Sequence, residues 1–287
     1  MGTKDIAEKH FEEINKIFAD IINGTLFEGR QTIKEDELLD LPTRSQYKAD
    51  DGKLHEQERD IAKRWVKEEV IFSIIGIENQ TKIDNDMVLR VIGYDGASYR
   101  SQLLDKDNSS RYPVITIVLY YGEKPWNAPK NLKERLDIPE CLDKYVSDYH
   151  INVFDISHMT KEEIDNLFHS DFRILAKFMC DKNSVKEIKE KIEFPDPLLK
   201  MLSVLTADNR FEELKGELIG GSTMCDILDK VENKGRLEGE LEGELKACRE
   251  TAEKLFKNGA SLELVESSVS LPKDEIQEIF NSIVKKG

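Results

Sequence analysis

The sequence predicts an α/β fold, a mixed central sheet flanked by helices and followed by a helical annex at the C-terminal end. Three observations predict it. Val70–Ile77 and Val114–Tyr121 are apolar runs rich in β-branched residues, which fits strands buried on both faces. Between them, Met87 to Leu104 spaces Met87, Val91, Tyr94 and Leu103 as a helix would, although Gly93 and Gly96 lower its propensity. Beyond Thr160 the strand signals stop and helical periodicity takes over.

Each element has its own warrant. Over residues 4–23, Ile6, Phe11, Ile14, Phe18, Ile21 and Ile22 predict an amphipathic helix, with Asn23-Gly24 as its C-terminal stop. Residues 25–58 are polar and irregular, with turn signals at Pro42 and Asp51-Gly52, and predict loops with room for one short hairpin. Ile151–Ile156 adds a further strand. Helices are predicted over 162–180, 196–205 and 211–231. Residues 235–246 repeat a pattern that sets leucines at 237, 241 and 245 and glycines at 235, 239 and 243. Each set forms a stripe on a helix, and since each glycine costs roughly 1 kcal/mol against alanine, that helix needs a partner surface. Residues 261–268 and 272–284 read as two short helices joined near Leu271-Pro272. The expected division is a core over 1–182, an annex over 183–230 and a tail over 231–287 that serves oligomerisation.

Composition narrows the function classes. With 287 residues, 39% hydrophobic and 34% charged, the chain can bury a sizeable core. It has no apolar run near the ~20 residues that cross a bilayer, and its opening lacks the apolar centre of a secretory signal, so a cytoplasmic protein is expected. Four scattered cysteines and five scattered histidines lack CxxC, HxxxH or HExxH spacing, which argues against disulfides and zinc. A hard-metal site built on oxygen stays open. The formal charge of −15 opposes a broad basic surface, but a local basic cleft can exist within an acidic total.

The chemistry concentrates in residues 58–87. Side chains alternate along a strand, so Glu78, Gln80 and Lys82 share one face while Ile77, Asn79 and Thr81 share the other. A carboxylate at the end of an apolar strand needs a cation, hydrogen bonds or solvent. Asp60 lies far enough upstream for an intervening strand and return, and supplies a second carboxylate. Two carboxylates, a backbone carbonyl at Asn79 and several waters are a ligand set suited to Mg²⁺, with Mn²⁺ as a substitute. Such an ion lowers the pKa of a bound water and offsets charge on a phosphate. Gln80, on the Glu78 face, is placed to position that water.

The segments ERDIAKRWVKEEVIFSIIGIENQ, DNDMVLRVIGYDGASYRSQL and YPVITIVLYYGEKPWNAP, in that order, resemble the recombination-promoting nuclease family of YhgA-like transposases. That family is a branch of the PD-(D/E)xK superfamily. The resemblance covers roughly residues 10–230. It implies a restriction-endonuclease-like core and a divalent-metal-dependent DNA endonuclease, with Asp60 and Glu78 as the metal-binding acids. Gln80 falls where the superfamily usually carries lysine. Either Lys82, on the same strand face, or Lys63, one turn from Asp60 if that segment is helical, is positioned to supply the missing charge. Arg90 and Arg100 are candidates for binding DNA phosphates, and equally fit ordinary surface arginines on a helix. Tyr94, Tyr99 and Trp126 read as core or loop anchors in preference to base-stacking platforms. The competing reading is a catalytically inactive relative that serves as a DNA-binding or assembly module. A homodimer formed through the leucine and glycine stripes is the expected assembly.

Overall fold

A computed structural model describes residues 10–41, 44–48, 54–58, 60–104, 110–181, 189–218 and 221–284. The expected helical residues 4–9 and the turn signals at Pro42 and Asp51-Gly52 lie outside them. Two compact units divide the chain, Met1–Ile227 and Leu228–Gly287.

The first unit is built on a five-stranded mixed sheet. Its strands are β1 (Leu38–Asp40), β4 (Ile61–Lys67), β5 (Val70–Gln80), β6 (Val114–Tyr120) and β7 (Asn152–Asp155), adjacent in that order. β4 is antiparallel to β1 and β5, whereas β5, β6 and β7 run parallel. β2 (Arg44–Lys48) and β3 (Leu54–Glu58) pair separately as the short hairpin that the polar segment had room for. The α/β class is therefore as the sequence predicts, with strand β5 three residues longer than its apolar run.

β5 sits centrally and is buried from Ser73 through Asn79, which explains its unbroken apolar character. One face of the sheet carries Ile61 and Lys63 of β4 and, in register with them, Ile77 and Ile75 of β5. Helix α1 (Asn15–Leu26) lies over this face, where Phe18 stacks 5.6 Å from the Lys63 ammonium. The opposite face carries Glu78 beside Val118, and helix α2 (Met87–Leu104) covers it. Met87, Val88 and Val91 of α2 pack with Val118 and Ile151, and buried Asp95 accepts a 2.5 Å hydrogen bond from Thr116 Oγ1. The path from β5 through α2 to β6 is thus a βαβ crossover, which fixes where α2 begins relative to the end of β5.

Asn23-Gly24 does not stop the first helix. α1 continues to Leu26, and Asn23 is buried, its amide donating to Ile33 O at 2.8 Å while Oδ1 accepts from the Thr32 and Ile33 N–H groups. Gly24 is small because another element crosses it: a Cβ there would lie 2.3 Å from the Phe168 ring. The single helix expected over 162–180 is two, α4 (Lys161–Leu167) and α5 (Asp171–Cys180). The break has a cause in the buried Asp20, which accepts from the His169 and Ser170 N–H groups and so rewards an interrupted chain. Short helix α3 (Leu132–Arg135) precedes β7, and α6 (Pro195–Thr206) and α7 (Arg210–Glu213) complete the annex.

Helix α8 (Met224–Lys257) runs 34 residues and contains the whole leucine and glycine tract. In the second unit its C-terminal part packs with α9 (Leu262–Ser268) and α10 (Lys273–Val284) around Ala252, Phe256, Val265, Leu271 and Ile276. Leu245 joins that core, whereas Leu237 and Leu241 are 57% and 59% exposed. Among the described residues no helix is long and apolar enough to cross a membrane. The four cysteines are free thiols.

Candidate active site

The pairing of β4 with β5 places the two acids. Ile61 lies opposite Ile77, so Asp60, one residue before β4, comes beside Glu78, one residue further along β5. The segment that follows Asp60 is a strand and not a helix. Asp60 Oδ2 accepts the Asn79 backbone N–H at 2.7 Å, which ties the acid directly to the β5 residue next to Glu78.

Glu78 is 2% exposed. Its Oε1 atom accepts from Arg90 Nη2, from the Tyr94 hydroxyl at 3.4 Å and, at the limit of hydrogen-bond length, from Gln80 Nε2 at 3.5 Å. Its Oε2 atom is buried and has no hydrogen-bond partner. Burial first, and then the negative charge of Asp60, push the Glu78 carboxyl up to about 8, against the pull of the Arg90 guanidinium. The Tyr94 hydroxyl is likewise raised, by burial and then by the Glu78 charge. A buried carboxylate beside a second acid, with one oxygen left unpaired, is an arrangement that a hard cation would relieve.

Arg90 stands at the centre of this electrostatics. From α2 it reaches Glu78 with Nη2 and Asp84 with Nη1, the latter at 3.0 Å. Tyr94, four residues on, comes from the same helical face. Both terminal nitrogens of Arg90 are thus engaged with carboxylates. Arg100, near the end of α2, is exposed.

Other candidates fall elsewhere. The Asn79 side chain turns to the opposite face, where its Nδ2 donates to Glu12 Oε2 at 2.6 Å and its Oδ1 is buried without a partner. Lys63 is on that face too, 1% exposed, and donates to Glu13 O at 2.8 Å, to Asn15 Oδ1 at 2.7 Å and to Asp40. It faces away from Glu78, because β4 alternates where a helix would have brought it round to Asp60. β5 ends at Gln80, and Lys82 lies in an exposed bend beyond it, so strand alternation does not carry Lys82 onto the Glu78 face. Among the described residues no group of three or more His, Cys, Asp or Glu side chains is arranged to hold a metal, so the acids available at this point are the pair Asp60 and Glu78. Tyr94 is a buried member of the site, Tyr99 accepts the Val114 N–H at 3.1 Å, and Trp126 packs edge-on against Tyr120 at 5.1 Å.

Glu12 escaped the sequence, and so did the pairing, though not the residues, of Arg90 and Glu78. Glu12 is wholly buried and also receives the Tyr121 hydroxyl at 3.4 Å, a contact spanning 109 positions that no local pattern announces. The Arg90–Glu78 pair was within reach, since a strand end followed by a helix start places both groups at one sheet edge.

The fold and these residues define an α/β protein with an acidic pair at the end of its central hairpin. Residues 66–214, slightly more than half of the chain, match the family described as "Putative transposase, YhgA-like", and the chain belongs to that family. The matched span includes Glu78, Gln80, Arg90 and Tyr94 and begins after Asp60. No curated protein and no solved structure matches the chain.

Proposed function

We propose that this protein is a divalent-metal-dependent DNA endonuclease of the PD-(D/E)xK superfamily that hydrolyses phosphodiester bonds in recombination, mobile-element or defence biology. The observation that carries the reading is the pairing of Asp60 with buried Glu78 across the β4–β5 hairpin, inside a chain of the YhgA-like transposase family. Asp60 and Glu78 would hold Mg²⁺, or Mn²⁺ in its place, together with the backbone at Asn79 and waters. The bound ion would supply a water of lowered pKa and neutralise charge on the scissile phosphate.

The remaining roles belong to side chains. Gln80 borders Glu78 and offers an amide that can orient the attacking water. Tyr94, buried beside the acid, would help hold the Glu78 carboxyl in place through its hydroxyl. Lys82, in its exposed bend, and Arg100, on α2, provide positive charge for the DNA backbone. Leu237 and Leu241, exposed on one face of α8, would join two copies, so that a dimer presents two sites to one duplex.

Incubating purified protein with supercoiled plasmid in Mg²⁺ or Mn²⁺, with and without EDTA, tests this directly. Nicked or linear product that EDTA abolishes supports the nuclease. DNA retention without cleavage in either metal would favour the alternative, an inactive relative serving as a DNA-binding or assembly module, a reading that the net charge of −15 and the arginine already seated on Glu78 make specific.

A further inference from the structure

We infer that Arg90 is a positioning residue of the metal site: it anchors Glu78 through Oε1 and thereby presents Oε2 as the ligating atom. The inference rests on the reading of Asp60 and Glu78 as metal ligands.

The two oxygens of Glu78 are used unequally. Arg90, Tyr94 and Gln80 all approach Oε1, while Oε2 is buried and has no hydrogen-bond partner. A carboxylate serving only as a structural counter-ion would share donors between its oxygens, because an unpaired buried oxygen costs about 1–3 kcal/mol. Loading one oxygen and sparing the other is the economy of a monodentate ligand held by an outer shell. The guanidinium is itself fixed from behind, since Nη1 is bound to Asp84 at 3.0 Å while Nη2 takes Glu78. Asp84 lies three residues before α2 and Arg90 in its first turns, so the start of the helix sets the rotamer of a residue on β5. Arg90 also brings a permanent positive charge to a place where the strand itself offers the neutral Gln80. Lys63 cannot do so, being held on the opposite face.

The test is Mn²⁺ binding by the full-length protein, read from the loss of the free-ion electron paramagnetic resonance signal, with thermal melting in EDTA as a check on the fold. Arg90→Gln should bind Mn²⁺ at least about tenfold more weakly than the parent, the scale on which outer-shell partners act. Arg90→Lys should fall between the two, because an ammonium can reach Glu78 but cannot span Glu78 and Asp84 with two planar donors. A purely structural arginine would lower the melting temperature in EDTA and leave Mn²⁺ affinity unmoved, and that result would overturn the inference while leaving the metal site standing. Tighter binding by Arg90→Gln would overturn it as well, by showing that the arginine competes with the ion. If Arg90→Gln does not fold, Arg90→Lys decides alone, and parental affinity in that variant counts against the role. A parent that takes up no Mn²⁺ would remove the metal reading and this inference together.

Discussion

At the scale of the residue, Glu78 is held under electrostatic tension by burial and by its acidic neighbour. Its carboxyl is raised to about 8 by burial and by Asp60, so the pair is poorly satisfied by protein groups alone. Removing the side chain should therefore cost function more than structure. Glu78→Ala is expected to lower metal-dependent plasmid cleavage at least about a hundredfold, since even outer-shell losses cost about 10–100-fold. Its melting temperature in EDTA should stay close to that of the parent, because the lost group is a poorly satisfied buried acid and not a packed apolar side chain, and Arg90 is 39% exposed and keeps Asp84 as its partner. Equal cleavage by mutant and parent would take Glu78 out of the site. The sequence made this residue legible because a charged tip on an apolar strand violates the local pattern. It left Glu12 hidden, since a buried acid on a helix looks like any solvated glutamate until the tertiary fold covers it.

At the scale of the element, strands β5 and β6 and helix α2 were readable because each buries a long, regular apolar pattern. A strand and return ahead of β5 was expected from the spacing of Asp60, but the turn between β4 and β5 could not be located, and its chemistry explains why. Lys67 pairs with Val70, so Glu68 and Glu69 form a two-residue loop, with φ of +50° and +64°. Both central residues are left-handed, as a hairpin of this length favours, yet neither is the asparagine or glycine that would announce it. Left-handed backbone costs an ordinary L-residue roughly 1–2 kcal/mol. Replacing Glu68-Glu69 by Asn-Gly should accordingly stabilise the protein by about 1 kcal/mol in urea unfolding, and an unchanged or lowered midpoint would count against strain in this turn. The opposite error occurred at Gly24, where glycine looked like a helix stop but is required by contact. With a Cβ 2.3 Å from the Phe168 ring, Gly24→Ala should destabilise by about 1–3 kcal/mol despite alanine's better helix propensity. A more stable Gly24→Ala protein would show that Phe168 can yield.

At the scale of the whole molecule, the question is what the long helix α8 gains from its repeated tract. The four-residue spacing puts Leu237, Leu241 and Leu245 on one slowly rotating face, a pattern visible in the sequence; which leucines would stay uncovered was not, because that depends on where α9 and α10 fold back. They cover Leu245 and leave Leu237 and Leu241 57% and 59% exposed. Gly239 and Gly243 have nothing within 4 Å of where a Cβ would sit, so no packing among the described residues accounts for them. A helix with several glycines is weak by propensity, and burying its leucines against a second copy would offset that weakness. The expected result is a concentration-dependent dimer of the full-length protein in multi-angle light scattering. Leu237→Glu combined with Leu241→Glu should shift it to monomer with little change in thermal stability extrapolated to low concentration, since both side chains are exposed within the single chain. A doubly substituted protein that keeps the parental mass would place the interface elsewhere. A parent that is monomeric throughout would mean that this helix does not bring together the two sites that the proposed double-strand cut requires.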